Sequence, residues 1–207
     1  MRYKKRLSVT ETLIIANIAV FIAVSVIANL VSQDIIRHVA LQPAAIWQGQ
    51  NLWTLFTSMF MHGNFFHLFV NMFSLFFLGS FIEQLVGKKK YLMIYFIGGL
   101  LGSVFFALSP LFTESWMVMA VGASGAIFAL GGALAVLTPK LPVFIMLIPI
   151  PIPMYMAIFI LFIMLSFLPN IANSGHFGGL VAGLLLGWYY KKDVQRRQRL
   201  IMRHQYY

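Results

Sequence analysis

Two stretches, Gly122-Ala123-Ser124-Gly125 and Gly175-His176-Phe177-Gly178-Gly179, hold residues that can act as a nucleophile and a base. Glycine on either side of a serine leaves its hydroxyl uncrowded and lets the backbone expose an N–H beside the reacting carbon, as a serine nucleophile requires. Histidine is the side chain best suited to take a proton from serine near neutral pH. Each stretch also has a plainer reading. Gly, Ala and Ser commonly line packed membrane helices, and His176 would serve as an interfacial residue at a helix end. Taken alone, Gly-x-Ser-Gly is a weak signal.

His67 and Asn71 are four residues apart and share one helix face. Both donate hydrogen bonds without a permanent charge, which suits an oxyanion site in a low-dielectric cavity. A structural polar network between helices is the rival reading. His62, five before His67, is rotated well away from it on an ideal helix and is given a structural role in the preceding loop. With no cysteine, thiolate chemistry, disulfides and the usual zinc sites are excluded. No metal and no cofactor is expected. The only carboxylate inside an expected span is Glu83, 16 residues or about 24 Å of helix beyond His67. A Ser–His–Asp triad is therefore disfavoured and a dyad is permitted, the imidazole of His176 being oriented by packing, for instance against Phe128 one turn after Ser124.

The elements that position these residues follow from composition. The chain of 207 residues is 60% hydrophobic and only 10% charged, against about a quarter charged in soluble domains. Lipid must be the solvent for most of it. The net charge of +10 resides in short flanks between apolar segments, which is a topology signal rather than a nucleic-acid surface. Charge-free runs predict an all-α, polytopic bundle of six spans: 12–31, 56–85, 91–109, 119–137, a fifth starting near Pro149, Pro151 and Pro153, and a sixth over 176–190. Asp34, Arg37, Trp47 and Trp53 mark an amphipathic stretch after the first span, and the turn-rich run from Pro169 to Gly175 divides the last two.

Basic residues alternate with the spans. Arg2, Lys4, Lys5 and Arg6, then Lys88, Lys89 and Lys90, then Lys140, then six beyond Tyr190 all fall on one side, leaving Arg37 on the other. The positive-inside rule then makes both termini cytoplasmic. The expected organisation is a basic flank over 1–11, with no cleavable signal peptide, a six-helix domain over 12–190 and a basic tail over 191–207, in a prokaryotic cell membrane. The tail reads as an amphipathic or frayed helix whose basic residues anchor topology. Gly179, Gly183 and Gly187, four apart, form a groove that admits another helix closely.

Taken together, these residues resemble the rhomboid family of intramembrane serine proteases. The resemblance covers nearly the whole chain: six spans, His62-x4-His67-x3-Asn71 in the second, Gly122-x-Ser124-Gly125 opening the fourth, and His176-x2-Gly179-x3-Gly183 in the sixth. It implies Ser124 as nucleophile, His176 as base, and His67, Asn71 and the Ser124 backbone N–H as oxyanion contacts. His62, Glu83, Gly122, Gly125, Gly179 and Gly183 are implied as structural positions. It also implies a water-filled cavity open to the outer face, and single-pass membrane proteins as substrates, cut in or near their transmembrane segment. One departure stands out. Many members have Trp-Arg in the first loop, whereas Trp53 is followed by Thr54, which removes the usual loop-anchoring arginine. The rival classes are a member that binds membrane proteins without cutting them, and a small channel or transporter. The former usually lacks the serine or histidine retained here. A transporter would spread ionisable groups through several spans.

Overall fold

The computed structural model describes residues 7–113, 116–145, 148–167 and 172–205. Arg2, Lys4, Lys5 and Arg6 of the basic flank, and Pro169, Asn170 and Ile171 of the expected turn, lie outside the described residues. The fold is helical and membrane-embedded, with six principal helices among the described residues. Helix α1 (Val9–Leu30) starts where Ser8 and Glu11 form a capping box: Ser8 Oγ accepts from the Glu11 N–H and the Ser8 N–H donates to Glu11. Helix α2 (Phe65–Val86) contains a π-helical turn at Leu75–Gly79, and α3 spans Lys88–Leu108. Helices α4 (Ser124–Leu137), α5 (Met154–Ser166) and α6 (Asn173–Gln205) complete the set. Among the described residues, α1, α2 and the stretch Lys88–Phe112 containing α3 are long and apolar enough to cross a membrane by themselves.

Several boundaries differ from expectation. The second span starts at Phe65 rather than Phe56, because residues 54–60 form a short α-helix and a 3-10 turn before Asn64 caps α2. The fourth starts at Ser124 rather than Met119: Ala120 instead pairs with Leu41 in an isolated β-bridge. The prolines lie outside the fifth helix, in a β-hairpin of β1 (Pro142–Ile145) and β2 (Ile148–Pro153) that apolarity alone did not announce. The sixth helix runs without a break through Lys191 to Gln205, its extension tied to the α2–α3 turn by an ion pair between Lys90 and Asp193 and by Lys90 over the Tyr190 ring.

Helices α3, α4 and α6 form the packed centre. Buried residues run unbroken from Ala126 to Leu134 of α4. A side chain on Gly179 would meet the Gly125 carbonyl, on Gly183 the Ala129 carbonyl, and on Gly187 the Ala133 backbone. These contacts advance in the same direction along both helices, so α4 and α6 run parallel in near backbone contact.

At the other end of α2, the Glu83 carboxylate accepts from the Val9 N–H (3.0 Å), the Thr10 N–H (2.9 Å) and the Thr10 hydroxyl (2.8 Å). It thereby satisfies orphan donors at the positive end of α1. Glu83→Gln is expected to weaken this tie by about 1.5–3 kcal/mol, the range for a hydrogen bond to a charged group. Detergent melting of the variant checks this, and an unchanged melting temperature would sink it.

The first loop is held without an arginine at position 54. Thr54 is 1% exposed and its hydroxyl donates to the Asn51 carbonyl, while the Trp53 and Trp47 indoles donate to the carbonyls of His38 and Ala107, each at 2.8 Å.

Candidate active site

Ser124 is the first residue of α4 and His176 sits in the first turn of α6. The parallel packing of the two helices brings those ends together, and His176 Nε2 lies 2.8 Å from Ser124 Oγ across 52 residues of sequence. Gly179, one turn below His176, is what allows it, because any Cβ there would stand 2.0 Å from the Gly125 carbonyl. His176 is buried, and its Nδ1 has no hydrogen-bond partner. Glu83 is far from it, at the opposite end of α2. The imidazole instead packs on Phe128, with ring centroids 4.6 Å apart and planes inclined by 33°.

Helix α2 supplies the other polar groups. Asn64 Oδ1 accepts from the His67 N–H at 2.8 Å, capping the helix and fixing where His67 emerges. His67 Nδ1 receives a long contact of 3.5 Å from the Gly63 N–H. That assignment leaves the proton on Nε2, where it is available to donate. Gly122 has φ +122°, and a Cβ there would lie 2.9 Å from His67 Nε2, with Ser124 Oγ 3.8 Å away. The first glycine of the serine motif thus provides both a backbone conformation that L side chains disfavour and the space for the His67 ring. Its own N–H donates to the Ser58 carbonyl at 2.9 Å. Gly125 is less constrained, since a Cβ there would meet only ordinary contacts, the nearest at 3.5 Å.

Asn71 Nδ2 donates one N–H to the His67 carbonyl at 2.9 Å. An amide nitrogen carries two, so the second remains. Ser124, His176, His67, Asn71 and Phe128 all border one cavity of about 420 Å³. The N–H groups of the first turn of α4 have no intrahelical acceptor, adding backbone donors beside Ser124.

His62 lies in the loop before α2, as expected, but is not turned away from His67. It precedes α2 rather than lying on it, so the ideal-helix rotation does not apply. Its ring stands edge-on to that of His67, with centroids 5.1 Å apart, and is 2% exposed. Sequence reasoning also missed a second space of about 40 Å³ behind Ser124, bordered by Ser58, Met59, Gly102 and Ser103. That is enough to hold a water molecule. The small-residue run Gly98-Gly99-x-x-Gly102-Ser103 on α3 was the available signal.

Residues 49–193 match the family model described as Rhomboid domain. RHOMBOID-like protein 5 of Arabidopsis thaliana is 34% identical over 157 residues, covering 72% of this chain and 47% of that protein. Rhomboid protease GluP of Bacillus subtilis (strain 168) is also 34% identical, over 73% of this chain and 28% of that protein. Inactive RHOMBOID-like protein 8 of Arabidopsis thaliana is 32% identical over 67% of this chain and 38% of that protein. The chain spans less than half the length of these relatives. Because the family model accounts for well over half of the sequence, including every segment that borders the Ser124 cavity except Leu41, the chain belongs to the rhomboid family.

Proposed function

We propose that the chain is an intramembrane serine endopeptidase that cleaves single-pass membrane proteins in or near their membrane segment, with Ser124 and His176 as a dyad. The observation that carries this reading is the 2.8 Å contact between His176 Nε2 and Ser124 Oγ at the edge of a mostly apolar cavity that His67 and Asn71 also border. Nε2 takes the hydroxyl proton as Oγ attacks the scissile carbonyl, and the resulting imidazolium gives that proton to the leaving amine. Water then attacks the acyl-serine by the reverse proton path. The Ser124 N–H, His67 Nε2–H and Asn71 Nδ2–H are the proposed oxyanion donors. His62, Glu83, Gly122, Gly125, Gly179 and Gly183 are proposed as structural supports. The six-helix domain over 12–190 is proposed to sit in a cell membrane with both termini on the cytoplasmic side, the sense in which the basic flanks point.

A relative described as inactive gives the non-cleaving reading a concrete form, and a single experiment separates the two. A fluorophosphonate probe is expected to label the purified protein and to fail with Ser124→Ala. Absence of labelling in the wild type, or labelling that survives the substitution, would sink the proposal.

Deleting one oxyanion donor leaves the others in place, so His67→Ala and Asn71→Ala are each expected to lower kcat by up to about 10²- to 10³-fold with KM little changed. If these residues only tie helices together, melting temperature falls instead, and turnover per folded molecule is unaltered.

With no carboxylate behind it among the described residues, the imidazolium is steadied by the Phe128 face, an interaction of cation–π type. Phe128→Leu is expected to cost about 2- to 30-fold in kcat, equivalent to about 0.5–2 kcal/mol. A fall in melting temperature at full turnover would assign Phe128 to packing alone.

A further inference from the structure

We infer that the β1–β2 hairpin is a membrane-contacting element, seated among lipid headgroups and upper acyl chains at the end of α4 remote from Ser124. Its place in the chain requires an apolar setting. The hairpin joins α4, of 14 residues, to α5, of 13. At 1.5 Å per residue these rise only about 21 and 20 Å, short of the roughly 30 Å hydrocarbon layer. The segment between them therefore starts near the membrane boundary, where exposed Lys140 fits the headgroup level. No Asp, Glu, Lys or Arg occurs from Leu141 through Tyr190.

The surface of the hairpin is apolar on both faces. Phe144 and Ile150 are 73% and 63% exposed. Leu141, Pro142, Val143 and Phe144 border a groove of about 590 Å³ shared with α2 and α5, in which Ser74 is the single polar side chain.

Backbone donors decide between lipid and water. An open sheet edge is excluded from lipid chiefly by its unpaired polar groups. Pro142 lies opposite Pro153, and Val143 opposite Ile152, while the Met154 N–H donates to the Leu141 carbonyl at 2.9 Å. Successive residues of a strand direct their N–H groups to alternate sides. The nitrogens of Ile152 and Met154 face β1, so those of residues 151 and 153 face outward, as does that of residue 142 on the other edge. All three are proline, which has no N–H; by the same alternation the Phe144 N–H, at the register irregularity between Val143 and Ile145, also faces outward and needs a headgroup or water partner. Pro149 continues the spacing. The outward carbonyls still need water, which sets the depth at the headgroup boundary rather than the bilayer centre.

The test uses the absence of native cysteine. Single cysteines at Phe144 and Ile150, with lipid-facing Phe159 and exposed Gln195 as references, would carry an environment-sensitive fluorophore in phosphatidylcholine–phosphatidylglycerol vesicles. Probes at 144 and 150 are expected to be quenched by brominated lipids as at 159, and to resist aqueous iodide severalfold better than at 195. Iodide quenching equal to that at 195 would overturn the inference. Adding Pro151→Ala and Pro153→Ala to the position-150 variant restores two outward donors and is expected to raise iodide quenching severalfold. Unchanged quenching there would overturn the role given to the prolines.

Discussion

Ser124→Ala and His176→Ala are each expected to abolish cleavage of a transmembrane reporter, and the double variant is expected to be no slower than either. The reason is that the two side chains perform one proton transfer. Oγ becomes a competent nucleophile only as Nε2, 2.8 Å away, takes its proton, so removing either partner removes the same step. In soluble serine proteases such losses reach about 10⁶-fold and do not multiply, the residue of activity coming from the oxyanion donors and from substrate binding. Among the described residues no carboxylate meets His176 Nδ1, so the expectation is that of a dyad. Phe128 still packs on the ring once Ser124 is gone, but a ring stacked on an aromatic face without a nucleophile has no hydroxyl to deprotonate, so Ser124→Ala leaves no partial proton-transfer unit. Turnover of a reporter by wild type, the two single variants and the double variant, each normalised to folded protein, decides the matter. A double variant slower than either single one by the product of their separate losses would mean that the residues act in different steps.

Much of this site was legible because lipid makes polar side chains costly, so those retained inside spans carry information. Ser124, His176, His67 and Asn71 could be picked out as isolated polar residues among aliphatic neighbours, and all four border one cavity. The glycine periodicity after His176 was readable for the same physical reason: only small side chains let helices approach this closely, and the repeat of four marks the face. The carboxylate far down α2 could be separated from the site by helix length alone.

Other features were not legible. The first loop is nearly as apolar as the spans, with Leu55, Phe56, Met59, Phe60 and Met61 within seven residues, so hydropathy could not show that α2 starts only at Phe65. The signal that does so is local, the Asn64 cap on the His67 N–H. The same displacement brings His62 against His67, a proximity that helix geometry would deny. Alternating Ile and Pro reads as a segment that cannot be helical, yet strand pairing depends on a partner that periodicity does not name. The space behind Ser124 is formed where α3, α4 and the first loop meet, and the small residues of α3 mark only one of its walls.

Gly183→Val is expected to be more damaging to packing and to turnover than Gly187→Val. A Cβ at 183 would lie 2.0 Å from the Ala129 carbonyl oxygen and 2.6 Å from its carbon, whereas at 187 the nearest atom, Ala133 Cα, is 2.8 Å away. Both obstacles are backbone, so no rotamer change relieves them; α6 must move away from α4. Inserting methylenes into a packed core typically costs about 1–3 kcal/mol, and Gly183→Val is placed at or above the top of that range. Gly183 also stands between the contact that seats His176, Gly179 on Gly125, and the lower half of the interface. Tilting the helices apart there lengthens the Ser124–His176 contact, so turnover of the surviving folded fraction is expected to fall together with the melting temperature. Gly125→Ala is the stability control, because its Cβ would meet nothing nearer than 3.5 Å. Melting in detergent and turnover per folded molecule for the three variants provide the measurement. Equal and negligible losses at 183 and 187 would mean that the glycines do not carry the α4–α6 contact, and the parallel seating of Ser124 and His176 would then need another cause.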